Sequence, residues 1–176
     1  MTRVIGIDPS LTATGIAWAD GTTETVGPYP AKHGDQRLAY LYATLIEQLA
    51  GVDDEPTYAV IEDLPKQAHG AGLTGRAQGV VRLALVQLGI RYVTVPPATV
   101  KKLWTGKGNA SKYEMGNWWA KRHPEEFDTP DDNQVDAAAL RWIGLLRMNT
   151  VILGERKSSS LAAIDWSPWG TEWRLP

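Results

Sequence analysis

The chain has 176 residues, 43% of them hydrophobic, which is enough for one well-buried core but short for two full domains. It contains no cysteine, which excludes disulfides, thiolate zinc sites and cysteine nucleophiles and leaves oxygen and imidazole as metal ligands. The net charge of −2, from 18 Lys and Arg against 20 Asp and Glu, excludes the overall basic excess that many nucleic-acid binders show.

The first elements along the chain are predicted to be three strands. Arg3–Asp8 is rich in Val and Ile, which indicates a buried strand, and the Pro that follows Asp8 ends it. Residues 14–19 predict a second strand, and Asp20-Gly21 is typical of a turn. A third short strand is predicted near Thr23–Val26. Two successive hairpins would make these three strands antiparallel.

The middle of the chain alternates between predicted helices and strands. Residues 35–50 predict a helix, because leucines at spacings of three and four give it one apolar face: Leu38, Leu41, Leu45 and Leu49. Thr57–Glu62 predicts a buried strand that ends, like the first, in a carboxylate. A helix over residues 73–88, closed by Gly89, then leads to a strand at Arg91–Val95.

The remainder is predicted to be mainly helical, with helices over residues 98–104, 111–122 and 131–148. Five strands interspersed with helices indicate an α/β fold, in which a mixed five-stranded sheet is flanked by helices. We expect one domain over residues 1–148, followed by a tail over residues 149–176 that contains three tryptophans.

Two strands that are predicted to be buried end in an acid, Asp8 and Glu62. A carboxylate beside a hydrophobic strand is costly unless it reaches solvent, a partner or a metal. If the two strands are neighbours in one sheet, both acids lie at the same edge, a few ångströms apart. Either acid could also be an ordinary turn former.

A third group of acids opens the last predicted helix. Asp132 and Asp136 are four residues apart and share a helix face, and Asn133 can reach the same side. Asp131 is better explained as a helix cap. Together with the two strand-end acids, these groups would form an oxygen-only pocket suited to Mg²⁺ or Mn²⁺, and two such ions can promote phosphodiester hydrolysis.

A basic stretch lies between residues 101 and 122, where Glu114 is the only acid. Its cations are Lys101, Lys102, Lys107, Lys112, Lys121 and Arg122. Such a stretch either contacts nucleic-acid phosphates or forms a solvated helix face, and the charge pattern alone leaves both open.

Four segments, in the right order, resemble the RuvC-type Holliday junction resolvases of the ribonuclease H-like superfamily. Residues 5–15 read IGIDPSLTATG, like the family's opening strand and turn, and residues 59–62 read AVIE, like its second acidic strand. Residues 100–112 resemble its basic VK and G-x-G-x-A-x-K segment, and residues 132–139 its closing D-x-x-D-A helix. The resemblance spans roughly residues 3 to 145 and includes phage-type members.

The resemblance implies a ribonuclease H-like fold and a Mg²⁺-dependent endonuclease of branched DNA, with Mn²⁺ as a substitute. Asp8, Glu62 and Asp136 take the catalytic metal-binding positions. Lys101 and Lys112 take the positions of residues that contact DNA phosphate, and we add Lys107 and Arg76 as secondary candidates. The family acts as a homodimer that nicks two opposed strands of a four-way junction.

The sequence departs from the family pattern in two places. Asn133 stands where the family usually has Asp or His, so both Asp132 and Asn133 are kept as candidate catalytic metal ligands. After Glu62, where the family often has an aromatic residue that wedges into the junction, this chain has Asp63 and Leu64. A flap or single-strand nuclease and a non-catalytic DNA-binding module therefore remain alternatives.

The sequence also predicts the cellular compartment of the protein. No apolar run approaches the roughly 20 residues that a membrane span needs, and the opening residues lack the layout of a signal peptide. We therefore expect a cytoplasmic protein, in a bacterium or in the host of a phage. The three histidines, His33, His69 and His123, are expected at the surface.

Overall fold

The computed structural model describes residues 3–27, 34–50, 57–64, 71–123, 131–148 and 160–170. It contains the strands β1 (Arg3–Asp8), β2 (Thr14–Ala17), β3 (Thr23–Val26), β4 (Thr57–Glu62) and β5 (Arg91–Val95). The helices are α1 (Asp35–Leu49), α2 (Ala71–Gln87), α3 (Pro97–Thr105), α4 (Lys112–Ala120), α5 (Asp132–Arg147) and a short α6 (Ser167–Gly170). His33, His69 and Trp173 lie outside the described residues.

The described strands form one mixed sheet in the order β3-β2-β1-β4-β5. The first three strands are antiparallel, as predicted, whereas β4 pairs in parallel with β1 on one side and with β5 on the other. The parallel register aligns Ile7 with Ile61. The next residues, Asp8 and Glu62, are therefore neighbours at the same edge of the sheet.

The two faces of the sheet bury separate cores. On one face, Ile5, Ile7, Ala59 and Ile61 pack with α1 and α2. On the other face, Val60, Val93 and Val95 pack with α3, α4 and α5. Because side chains alternate along a strand, Asp8 and Glu62 belong to the second face, where α5 lies.

Two glycines allow α5 to lie directly on the sheet. A Cβ atom on Gly6 of β1 would collide with the carbonyl oxygen of Ala137, and one on Gly15 of β2 would collide with that of Asn133. Only a residue without a side chain permits this backbone approach. The glycines of the opening motif thus set the position of the helix that carries Asp136.

Residues 160–170 pack against the same face, near the start of β4. Ile164 and Trp169 are buried in the core that α5 shares with β4 and β5, and Trp166 packs against it. The indole Nε1 of Trp169 donates to the carbonyl oxygen of Ala59 at 3.4 Å. Among the helices that the structure describes, none combines the length and apolar character of a membrane span.

Candidate active site

Asp8 and Glu62 reach the site from the ends of the two central parallel strands, and Asp136 reaches it from α5. The side chains of Asp8 and Glu62 are hydrogen-bonded to each other, and the negative charge of Asp136 raises the pKa of each. The structure thus brings together these three predicted residues. All three carboxyl groups are only partly exposed.

Burial is the main cause of an upward pKa shift at all three carboxyl groups. It raises the pKa of Asp8, which the negative charge of Asp136 raises further, and the pKa of Glu62, which the charges of Asp8 and Asp136 raise further. Burial also raises the pKa of Asp136 to about 6, although the charges of Lys101 and Lys112 act against it. The site therefore holds more carboxylate than its own cations compensate.

Lys101 and Lys112 lie close enough to act electrostatically on these acids. The charge of Lys101 lowers the pKa values of Glu62 and Asp136, and that of Lys112 lowers those of Asp8 and Asp136. Lys112 opens α4, whose N-terminus is fixed by a capping box between Ser111 and Glu114. A lysine from each of two helices therefore borders the carboxylates.

Asp132 lies at the rim of this cluster. Its carboxylate binds the ammonium of Lys112 at 2.9 Å, and its charge raises the pKa of Asp136. Asn133 faces β2, where its backbone carbonyl contacts Gly15. Neither residue is among the groups that shift the pKa values of Asp8 and Glu62.

Asp131 caps α5, as expected from the sequence. Its carboxylate accepts a hydrogen bond from the backbone N–H of Gln134 at 2.9 Å and from the hydroxyl of Thr25 at 2.7 Å. The hydroxyl of Thr23 donates to the side chain of Gln134 at 3.0 Å. The edge strand β3 thereby holds the N-terminus of α5, one turn before Asp136.

The other two predicted DNA contacts lie elsewhere. Lys107 forms an ion pair with Glu114 at 2.9 Å, in the connection between α3 and α4, and Arg76 is exposed on α2. His123, which the sequence places at the surface, is only partly exposed, because its ring stacks on Trp119 with a centroid distance of 3.9 Å.

One polar residue near the site is not predicted by the sequence patterns. Gln78 of α2 is only 4% exposed, and its side-chain amide donates to the carbonyl oxygen of Glu62 at 2.8 Å and to the carboxylate of Asp63 at 3.4 Å. A signal is present in the sequence, because Gln78 precedes the buried Val81 and Leu85 by three and seven residues and so shares their helix face.

The three carboxyl groups fit a divalent cation by the chemistry of their donors. Carboxylate oxygens are the ligands of hard divalent ions, and a cation would remove the repulsion that now favours protonation. Within the described residues, no group of three or more acids or histidines is already arranged to hold an ion.

Comparisons with known proteins identify a family of similar proteins. The family model described as crossover junction endodeoxyribonuclease RuvC matches residues 4–121. The RuvC of Carboxydothermus hydrogenoformans is 28% identical over 161 residues, covering 85% of this chain and 99% of that protein. The RuvC of Chlamydia pneumoniae is 31% identical over 149 residues, covering 78% of this chain and 88% of that protein.

Solved structures show the same fold. Thermus thermophilus RuvC, in a structure described as a complex with a Holliday junction substrate, superposes with a TM-score of 0.64. It is 24% identical, and the match covers 85% of this chain and 98% of that chain. The expected ribonuclease H-like sheet is therefore confirmed.

Proposed function

Because this chain belongs to the family of RuvC crossover junction endodeoxyribonucleases, we propose that it cleaves DNA phosphodiesters in four-way (Holliday) junctions during recombination or branched-DNA processing. The observation that carries the proposal is the meeting of Asp8, Glu62 and Asp136 at one sheet edge, bordered by Lys101 and Lys112. DNA as the substrate favours a cytoplasmic location, in a bacterium or in the host of a phage.

Catalysis in this family depends on a divalent metal, and we propose Mg²⁺, with Mn²⁺ as a substitute. Asp8, Glu62 and Asp136 would hold it, and Asp132 or Asn133 would complete the ligand set. When bound, such an ion activates water and stabilises the developing charge on the phosphate oxygens. The carboxyl groups must be deprotonated to bind the ion, so metal and protons compete for the site.

The two lysines have a separate task. Lys101 and Lys112 would neutralise the backbone phosphate beside the carboxylates and hold it in line for attack. Their positions suit this role, because they approach the acids from two different helices. The ammonium of Lys112 pairs with Asp132, but both side chains are more than half exposed, so this weak surface pair leaves the ammonium free to turn to an incoming phosphate.

The proposal is tested with wild-type protein and Asp8→Asn, each incubated with a labelled four-way junction and with matched flap and linear duplexes. Mg²⁺ and Mn²⁺ are tried in parallel, with EDTA as the control. Paired, symmetric nicks in the junction that require Asp8 are expected. Preferential cutting of flaps or single strands would keep the nuclease and refute the junction specificity, and binding without any cut would indicate a non-catalytic module.

We also propose that the active form is a homodimer, because two opposed nicks in one junction require two active sites. Sedimentation of the purified protein should give about twice the chain mass. A strictly monomeric protein that still makes paired nicks would refute this part of the proposal.

A further inference from the structure

A basic pocket lined by two tryptophans lies between α3 and α4, apart from the carboxylates. Its volume is about 320 Å³, Trp104 and Trp118 line it, and its cations are Lys107, Lys121 and Arg122. The acid among the lining residues is Glu114, which is bound by Lys107 at 2.9 Å. Lys121 and Arg122 therefore give the pocket a net positive charge, on a chain whose own net charge is −2.

Arg122 is held in a fixed position at this pocket. Its guanidinium carbon lies 5.0 Å from the ring centroid of Trp118 and 5.8 Å from that of Trp104. One guanidinium nitrogen donates to the carbonyl oxygen of Trp118 at 3.3 Å. That bond uses one of the five N–H donors, and a phosphate takes two. An arginine that is already oriented loses less side-chain entropy when it binds an anion.

The pocket is rigidly connected to the helix that carries Asp136. The indole Nε1 of Trp104 donates to the carbonyl oxygen of Ala139 on α5 at 3.1 Å, so one ring joins the pocket to the catalytic helix. On the same α3, Lys101 faces the carboxylates, one turn before Trp104. An anion bound in the pocket would therefore be held at a fixed distance from the carboxylates.

The helix α4 links the two sites, because Glu114, which lines the pocket, follows Lys112 by only two residues. Lys112 at its start borders the carboxylates, and Arg122 lies just beyond its end. The pocket therefore extends along α4 from Glu114 to Arg122, away from the carboxylates. A DNA backbone that follows α4 would place one phosphate at the carboxylates and another in the pocket.

We propose that this pocket binds a backbone phosphate of a DNA arm other than the phosphate at the carboxylates. It would act as a second anchor that fixes the position of the DNA over the catalytic acids. The inference rests on the proposed DNA substrate, but the pocket itself requires only a nucleic-acid backbone, and linear duplex can occupy it as well as a junction.

The test is the salt dependence of binding by the Lys121→Gln/Arg122→Gln double variant. Fluorescence anisotropy in EDTA gives the dissociation constant for a four-way junction and for a linear duplex over a range of salt concentrations. We expect the dissociation constant to rise about tenfold and the slope of log K against log salt to fall by about 0.9 for each phosphate that the variant no longer neutralises. The single variant Arg122→Lys, which keeps the charge, should have a slope of log K against log salt close to that of the wild type.

Arg147→Gln is the matched control, because Arg147 is also exposed and its guanidinium carbon also lies over a tryptophan, 5.7 Å from the ring centroid of Trp166. It sits at the opposite end of α5 from Asp132 and should leave the affinity and the slope unchanged. Lys121→Gln alone serves as a second variant, since Lys121 is exposed and its removal spares the tryptophan contacts.

The outcomes separate this inference from the proposed function. If the wild type cuts junctions and the double variant binds with the wild-type slope, the pocket proposal is overturned and the nuclease stands. If affinity falls while the slope stays unchanged, the pocket binds something other than a phosphate, which also overturns it. If the wild type cuts no junction but the double variant binds duplex with a reduced slope, the pocket stands and the proposed function fails.

Discussion

The three carboxyl groups of the site impose a cost on the folded protein that depends on pH. The pKa of Asp136 is raised to about 6, and those of Asp8 and Glu62 are raised as well, in each case mainly by burial. A carboxyl group whose pKa is higher in the folded state binds its proton more tightly there than in the unfolded chain. The free energy of unfolding therefore falls as the pH rises from about 4 through these raised values.

The metal-free protein is accordingly expected to lose thermal stability between pH 5 and pH 8, and Mg²⁺ should restore it at the upper end. For a chain of this size, each 1 kcal/mol corresponds to about 2–4 °C in Tm. Scanning calorimetry with EDTA or Mg²⁺ measures both effects. Asp8→Asn should flatten the pH dependence and raise the Tm of the metal-free protein at pH 8. A Tm that stays constant or rises over this range would contradict the raised pKa values.

Asp132 and Asp136 are expected to differ in their contribution to catalysis. Asp136 interacts with both strand-end acids, whereas Asp132 binds Lys112 at the rim. We expect Asp136→Asn to abolish cleavage and Asp132→Asn to reduce it by about 10–100-fold, the range typical of a group that orients a ligand. Single-turnover rates at saturating Mg²⁺ distinguish the two. Equal losses would make Asp132 a full member of the metal site, and Asn133→Ala then shows whether its amide contributes.

At the scale of whole elements, the position of α5 depends on glycines in the strands beneath it. A Cβ atom at position 6 would collide with the backbone of both Ala137 and Arg141. Since backbone cannot move aside as a side chain can, Gly6→Ala should lower the free energy of unfolding by about 3 kcal/mol or more. Urea denaturation measures it. The control is Gly79→Ala on α2. A Cβ atom added there meets nothing within 4 Å, so this substitution should raise the free energy of unfolding by about 0.5–1 kcal/mol.

The contact between α2 and the end of β4 gives another prediction. Gln78→Leu removes the donor to the Glu62 carbonyl oxygen and leaves that oxygen without this partner in a partly buried place, which costs about 1–3 kcal/mol. Because this bond fixes the peptide that carries the Glu62 side chain, we expect a reduced cleavage rate and a higher Mg²⁺ requirement. Titration of activity with Mg²⁺ separates this effect from simple destabilisation, which would leave the Mg²⁺ requirement of the folded fraction unchanged. Gln48→Leu, on the exposed side of α1, is the control.

The sequence predicted the element order and most element bounds, because the hydrophobic periods and the Gly and Pro signals are local. It predicted β2 to run to residue 19, but the strand ends at Ala17, because a turn begins at Trp18, whose carbonyl oxygen accepts a hydrogen bond from the backbone N–H of Gly21. Gln78 and the contacts of Gly15 could not be assigned a role from local patterns, since their partners are distant along the chain. The acids that meet at the site were found because strand ends and helix starts carry recognisable signals.

At the scale of the whole molecule, the two ends of α5 have different surroundings, one beside the site acids and the other in the hydrophobic core. Its N-terminus lies beside the carboxylates and Lys112, whereas its C-terminal half packs against Ile164 and Trp169. Gly144 makes this second contact possible, because a Cβ atom there would meet Val4, Val60 and the ring of Trp169. Residues 160–170 therefore support α5 from the end opposite the acids.

This separation predicts that Trp169→Ala uncouples stability from catalysis. Trp169 is 7% exposed, lies 5.0 Å from the ring centroid of Tyr58, and accepts a hydrogen bond from Arg91 at its carbonyl oxygen. Removing its ring should cost about 3–5 kcal/mol in the free energy of unfolding. The cleavage rate of the folded protein at low temperature should stay near that of the wild type, because the ring contacts none of the acids.

Chemical denaturation and single-turnover cleavage, measured on the same Trp169→Ala sample, test both halves of this prediction. The control is Tyr113→Ala, next to Lys112 at the start of α4. The Tyr113 ring is 76% exposed, so its removal should change the free energy of unfolding by no more than about 0.5 kcal/mol. A cleavage rate that falls in Trp169→Ala while the protein remains folded would mean that α5 transmits the change to Asp136. The region around residues 160–170 would then position Asp136 as well as stabilise the fold.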